Sequence, residues 1–170
     1  MAVPALVRGE GPTSELDGLA RESTRDRHHE ELSNSRALLA ALELHDPYAA
    51  RHSRNTVRLA AAVAERMRLS DPERFEVKLV AMLHDIGKIG LPYRILNKPA
   101  ALTTSERVVV NQHPGAGASV VAAIEELAHL APAIRACHER WDGAGIRTGW
   151  PARRYRSPAA SRSSATPTTR

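Results

Sequence analysis

The sequence predicts an all-α protein. Hydrophobic residues make up 42% of the 170 positions but aromatic residues only 4%, so the core has to be built from Ala, Leu, Val and Ile. A core of that kind favours helices over a β sandwich. Apolar side chains recur at helical spacing, and we find no stretch that alternates apolar and polar residues as a half-buried strand does. The length fits one domain.

The chain begins with a segment that we predict to be a flexible leader. Residues 1–33 mix Gly, Pro, Ser and charged side chains, with room for a short helix. The helical pattern starts at Glu31 and stops before Pro47, because a residue that precedes proline disfavours helical geometry. The apolar stripe of this first predicted helix is formed by Leu38, Leu39, Leu42 and Leu44.

Two longer helices are predicted next. One runs from about Tyr48 to Arg68, and the following one starts at Ser70, where a capping residue precedes Pro72 in the first turn. The second of these helices ends near Gly87. The candidate core positions of the first are Val57, Leu59, Ala60, Val63 and Met67, and those of the second are Val77, Val80 and Leu83.

The remaining helices are predicted to be short. A loop or turn covers 87–99, and Thr103 with Glu106 has the form of a capping box that opens a helix. That helix has to break near His113-Pro114. Further helices are predicted over 119–127 and 132–139.

The net charge of +5 and the pI near 10.0 belong to the end of the chain. Residues 146–170 hold six Arg and no acidic residue, and the other 145 residues carry 18 basic and 19 acidic side chains, a net charge of −1. We therefore expect a disordered basic tail and no nucleic-acid partner for the folded part. A single cysteine, Cys137, and the lack of a long apolar run predict a cytoplasmic protein without a membrane segment.

The strongest chemical signal is the dipeptide His84-Asp85. Helix packing can bring such a pair together with histidines that lie far apart in sequence. Histidine and carboxylate ligands suit divalent first-row metals, iron or manganese at least as well as zinc. The alternative is a pair that only caps a helix end. Further histidines on predicted helices or helix ends are His52, His113 and His138, whereas His45-Asp46 precedes a proline and is not expected to bind metal.

Five segments in a fixed order resemble the HD-GYP subgroup of HD-domain metal-dependent phosphohydrolases. They are ALELHDPYAARHSRNTVRLAAAVAERM, LVAMLHDIGKIGLP, ILNKPAALTTSE, NQHPGAG and CHERWDGAG, within about 34–145. The resemblance implies an all-helical HD-domain bundle with two or more divalent metal ions that activate water to hydrolyse cyclic di-GMP. The metal ligands that it implies are His52, His84, Asp85, His113 and His138.

The resemblance also implies roles at the substrate. Lys88 would contact the substrate phosphate, Asp85 would both bind metal and orient the nucleophile, and Arg140 would lie at the substrate. A cyclic dinucleotide is the expected ligand. The oligomeric state is left open.

The sequence departs from the family pattern towards its end. Cys137 stands where the family usually has a second His, and we interpret it as a buried neutral thiol rather than a thiolate ligand. Gly145 is followed by Ile146-Arg147 instead of Tyr-Pro. If one base is missing from a Tyr codon after Gly145, adding it back gives the family sequence Gly-Tyr-Pro-Asp-Gly-Leu-Ala. We therefore expect a frameshifted tail over 146–170 and a domain that is incomplete at its C-terminus.

The expected consequence is weakened or absent activity, because the family's last carboxylate ligand is lost. Two other functions stay open: a general HD-domain nucleotide phosphohydrolase, and a non-catalytic signalling or binding module. The tail is alternatively a genuine nucleic-acid-binding extension.

Overall fold

The computed structural model describes residues 12–139 and 145–146, and within these ranges it contains helices and no strand, which confirms the all-α fold class. Seven α-helices are present: α1 Pro12–His45, α2 Pro47–Arg66, α3 Asp71–Leu83, α4 Tyr93–Leu96, α5 Thr104–Val110, α6 His113–Ala122 and α7 Ala131–Ala136. Two 3₁₀ helices complete the fold: η1 Ile86–Gly90 and η2 Glu125–Leu130.

Helix α1 includes most of the predicted leader. Residues 12–33 form the first part of a helix of 34 residues, about 50 Å long. The end of this part makes tertiary contacts, since the ring of His28 packs against Phe75 with centroids 4.3 Å apart and Glu31 is buried. Contacts of this kind override a polar local sequence. In the described part of the chain, no helix is both long and apolar enough to cross a membrane.

The core is aliphatic, as the composition predicts. It lies where α1, α2, α3, α6, α7 and the two 3₁₀ helices meet. Its buried members are Leu39, Leu42, Ala49, Ala50, Leu79, Leu83, Ile86, Val121, Leu127, Leu130 and Ile134. Because these side chains come from nearly every element, the core holds the helix ends that carry the candidate site in one place.

Helix α2 packs on a different face from the predicted one. Its buried residues are small: Ala49, Ala50, Ser53 and Ala64. Three predicted core residues lie outside: Leu59, Val63 and Met67, which are 70%, 57% and 66% exposed. Leu44 at the end of α1 is 90% exposed. Small residues let α2 approach its neighbours closely, and a sequence with apolar side chains on both faces does not show which face is buried.

Two capping boxes confirm predicted helix starts. Ser70 with Glu73 begins α3, and Thr103 with Glu106 begins α5. The predicted break near His113 is present between α5 and α6. Helix α3 ends at Leu83 rather than near Gly87, because His84 and Asp85 form a turn before η1. The helix predicted over 119–127 is divided between α6 and η2, and the one predicted over 132–139 stops at Ala136.

Candidate metal centre

Asp85 lies at the middle of a cluster of histidines. It follows the end of α3 and is 1% exposed. Its Oδ1 is 3.2 Å from Nε2 of His113 and 3.4 Å from Nε2 of His138, while its Oδ2 is 3.4 Å from Nε2 of His84. The ring of His52 on α2 packs against the ring of His84 with centroids 5.3 Å apart. The fold therefore brings all five predicted metal-binding residues together.

Backbone carbonyl groups orient two of these rings. Nδ1 of His84 donates to the Ala81 carbonyl at 2.9 Å, and Nδ1 of His113 donates to the Val110 carbonyl at 2.7 Å. Such a bond fixes the tautomer and leaves the lone pair of Nε2 available for a metal ion. In both cases the acceptor lies three residues earlier, where a helix is ending and its last carbonyl groups lack helical partners.

The cluster leaves buried polar atoms without hydrogen bonds. Within the part of the chain that the structure describes, Oδ1 of Asp85, Nε2 of His113 and Nε2 of His138 are buried and have no hydrogen-bond partner. Buried polar groups are normally satisfied, and an unsatisfied set that converges on one point is what a bound ion would complete. The residues present therefore fit a metal site.

Two groups of donor atoms share the Asp85 carboxylate. One consists of His52, His84 and Asp85, and the other of Asp85, His113 and His138. Within each group the potential ligand atoms lie within 4.8 Å of one another. A carboxylate has two oxygens and can serve both groups, so the arrangement can hold two cations with mixed nitrogen and oxygen ligands. That donor set suits first-row divalent metals without selecting one of them.

The protonation of the metal-free cluster follows from the same contacts. Burial would raise the pKa of Asp85, but the contacts with His113 and His138, with smaller contributions from His84 and Lys88, hold it well below its usual range. The interaction with Asp85, and then that with Cys137, raises the pKa of His138 to about 9. Burial lowers the pKa of His84 against the opposing effect of the Asp85 charge. Asp85 is thus an anion before any metal binds.

A close contact between η1 and α6 brings Asp85 next to His113. A Cβ atom added at Gly87 would lie 1.9 Å from the His113 carbonyl oxygen and 2.5 Å from the Gly117 nitrogen. Only glycine lets the two backbones approach this closely. The contact carries Asp85, at the start of η1, up to His113, the first residue of α6.

Lys88 brings an ammonium group to the site. Its Nζ donates to Oδ2 of Asp85 at 2.8 Å, and its side chain is 23% exposed. It therefore connects the buried carboxylate with the surface. Arg140, the other predicted substrate-binding residue, lies outside the described residues, as does most of the predicted basic tail.

Cys137 is not the buried thiol that the sequence suggested. The residue is exposed at the turn after α7, and its Sγ donates to the Ile134 carbonyl at 3.0 Å. It directly follows Ala136, the last residue of the six-residue helix α7. The two groups of potential metal ligands among the described residues do not include Cys137.

Comparison with known proteins identifies the fold. A family model described as an HD domain matches residues 36–153. This chain belongs to the HD-domain family. The match of the HD domain runs past Gly145, so the domain boundary predicted there falls inside the matched range. Metal dependence of HD domains agrees with the cluster around Asp85.

The chain is also similar to curated proteins that are named as cyclic-dinucleotide phosphodiesterases. The chain is 37% identical over 119 residues to a cyclic di-GMP phosphodiesterase of Pseudomonas aeruginosa. The aligned residues make up 68% of this chain and 28% of that protein. It is 38% identical over 109 residues to a cyclic di-GMP phosphodiesterase of Thermotoga maritima, covering 63% and 30%. It is 33% identical over 103 residues to a 3'3'-cGAMP-specific phosphodiesterase of Vibrio cholerae, covering 61% and 22%. The chain thus spans less than a third of each relative, and these relatives support the resemblance to the HD-GYP subgroup.

Some residues that build the HD-domain centre were not found from the sequence. The carbonyl groups of Ala81 and Val110 orient His84 and His113, and Gly87 sets the approach of η1. A histidine just after the end of a helix predicts a bond from its ring to the carbonyl group three residues earlier, as for Ala81 and Val110. That prediction requires the end of the helix to be known. The pairing of Gly87 with α6 depends on a contact between distant segments, which local patterns do not reveal.

Proposed function

We propose that this HD domain hydrolyses a phosphodiester bond of a cyclic dinucleotide, with cyclic di-GMP as the first candidate. The observation that carries the proposal is the buried carboxylate of Asp85, which two groups of histidines share. The names of the relatives support the substrate class, since they include cyclic di-GMP and 3'3'-cGAMP phosphodiesterases.

The proposed metal ligands are His52 and His84 for one ion, His113 and His138 for the other, and Asp85 for both. Iron and manganese are the metals we favour. When bound, the ions supply Lewis-acid catalysis and lower the pKa of bound water. The contribution of the chain itself is to hold the donor atoms in place. The carbonyl groups of Ala81 and Val110 fix two rings before the metal arrives, so little reorganisation is needed on binding.

Lys88 is proposed as the residue that meets the substrate phosphate. Its ammonium group is a point charge on a flexible stem, well suited to a phosphate oxygen. In the metal-free protein this group is held by Oδ2 of Asp85, 2.8 Å away. From this position the ammonium would neutralise charge on a phosphate that lies over the same site. Asp85 and Lys88 therefore form one functional unit.

The direct test uses the 170-residue chain loaded with Fe²⁺ or Mn²⁺. Cyclic di-GMP, 3'3'-cGAMP and p-nitrophenyl phosphate are each incubated with stoichiometric protein, because the departure after Gly145 predicts slow turnover. We expect the cyclic dinucleotides to be linearised and the monoester to be hydrolysed poorly. Preference for the monoester would indicate a general phosphohydrolase. Metal binding without any hydrolysis would refute the proposed activity, and failure to bind metal would indicate a non-catalytic module.

A matched pair of variants tests the role of Lys88. Lys88→Ala should lower kcat/KM at least tenfold, about the effect expected for a charge-assisted contact to phosphate, while metal content stays unchanged. Lys98 carries the same charge, but its Nζ pairs with Glu106, 2.6 Å away, rather than with Asp85. Lys98→Ala should therefore leave kcat/KM within about twofold. Equal losses in the two variants would contradict the assignment.

We further propose that the protein acts in the cytoplasm. The single cysteine agrees with a reducing compartment. Fractionation of cells that express the chain, with activity measured in each fraction, tests this location.

A further inference from the structure

His45 forms a long-range hydrogen bond to the segment that carries Lys88. It is the last residue of α1, and its Nε2 lies 3.0 Å from the carbonyl oxygen of Leu91. Because a carbonyl group only accepts, Nε2 must carry the proton. Leu91 follows η1 directly and is buried. The end of α1 is therefore tied to the far end of η1.

A continuous set of backbone bonds connects this tie to the metal centre. The amide of Lys88 donates to the Asp85 carbonyl at 2.9 Å, and the amide of Leu91 donates to the Lys88 carbonyl at 3.0 Å. His45 then holds the carbonyl of Leu91. The peptide groups from Asp85 to Leu91 are thus fixed in sequence, with Lys88 in the middle.

The fixation matters because η1 is a 3₁₀ helix of five residues. Short 3₁₀ helices have poorer hydrogen-bond geometry than α-helices, so their position depends on what anchors them. The near end of η1 is anchored at Gly87 by its contact with α6. The far end is anchored by His45.

We propose that His45 is a positioning residue for Lys88. By holding the Leu91 carbonyl it keeps η1 in the place from which the Lys88 ammonium reaches the Asp85 carboxylate and the substrate phosphate. This proposal rests on the proposed function only through the role of Lys88. The anchoring of η1 by His45 does not depend on that role.

The first experiment measures the anchor without any catalytic readout. Amide hydrogen exchange is compared for the wild type, His45→Leu, His45→Gln and the control His29→Leu, which removes an exposed histidine from the same helix. Loss of one hydrogen bond should speed exchange over 86–92 about three- to tenfold in His45→Leu. Gln can place an amide donor where Nε2 stood and should restore slow exchange. Unchanged exchange in His45→Leu would overturn the proposal.

The second experiment connects the anchor to Lys88. His45→Leu should lower kcat/KM for cyclic di-GMP about three- to tenfold with metal content unchanged, and His45→Gln should recover most of it. In a Lys88→Ala background, His45→Leu should lower kcat/KM by less than a further twofold or so, because the ammonium group that His45 is proposed to position is already absent. A full additional loss in that background, or loss of metal from His45→Leu, would overturn the proposal. A wild type that shows no hydrolysis refutes the proposed function instead, and the exchange measurement still decides the anchor.

Discussion

The chain contains the dipeptide His-Asp twice, at positions 45–46 and 84–85, and the two copies have different roles. Each lies at a junction where one helix ends and another element begins. At the first junction Oδ1 of Asp46 accepts hydrogen bonds from the amides of Tyr48 and Ala49, at 3.1 and 2.9 Å. At the second junction Asp85 faces three histidines and Lys88.

The difference arises from the element that follows each aspartate. Asp46 precedes a regular α-helix with Pro47 in its first turn. The free amides at the start of that helix therefore donate hydrogen bonds to the Asp46 carboxylate. Asp85 precedes the 3₁₀ helix η1, and its side chain makes no capping hydrogen bond. Its oxygens are left to face the interior. An identical dipeptide therefore becomes a helix cap or the centre of a site according to which backbone amides are within reach.

The largest effect is expected from Asp85→Asn. The amide cannot supply an anionic oxygen to both groups of histidines, so metal content should fall to near zero. Hydrolysis should fall about a thousandfold or more, since metal ions contribute several kcal/mol to such reactions. Metal analysis of the purified variant and the cyclic di-GMP assay measure these losses. Asp46→Asn is the matched control and should retain its metal. If both variants lost metal equally, the two junctions would not differ in the way described.

A glycine pair tests the approach of η1 to α6. Gly87→Ala should reduce the free energy of unfolding by about 1–3 kcal/mol and weaken metal binding, because the added Cβ would meet the His113 backbone and force the helices apart. The control is Gly90→Ala in the same 3₁₀ helix, where nothing lies within 4 Å of an added Cβ. Urea denaturation and metal titration report the two quantities. Similar stabilities for the two variants would mean that the close contact is not required.

The sequence predicted which candidate residues come together better than it predicted the packing around them. The residues His84 and Asp85 could be identified because the chemistry of metal binding restricts residue types, and because neighbouring segments such as NQHPGAG match a family pattern. The buried face of α2 could not, since Leu59 and Val63 are as apolar as core residues and only the neighbouring helices decide which side is covered. The exposure of Cys137 depends in the same way on where α7 ends.

The metal-free protein should show a pH dependence that comes from His138 and its interaction with Asp85. The folded-state pKa of His138 is raised from 6.5 to about 9, mainly by Asp85. Protonated His138 therefore stabilises the fold fully below pH about 6.5, and this contribution is lost as the pH rises through about 9. Asp85, whose pKa is lowered, stays ionised throughout that window. A metal ion requires neutral His138, so metal binding should release a proton and strengthen as the pH rises.

Urea denaturation of chelator-treated protein between pH about 6 and 10 measures this dependence. We expect the free energy of unfolding to fall across the range in the wild type and to stay nearly flat over the upper part in His138→Gln. A wild-type curve as flat as that of the variant would show that His138 does not interact with Asp85 in the way the distances indicate.

The smallest effect is expected at the first junction. Asp46→Ala removes the cap of α2 and should cost about 1 kcal/mol of unfolding free energy, the usual value for an N-cap aspartate, without loss of metal. Asp71→Ala provides the control, because that carboxylate is 97% exposed, lies after the N-cap Ser70, and faces Arg74 at 3.7 Å. Its cost should stay within about 0.5 kcal/mol. Loss of metal from Asp46→Ala would contradict a purely local role for Asp46. It would show that the end of α1, where His45 reaches η1, responds to how α2 begins.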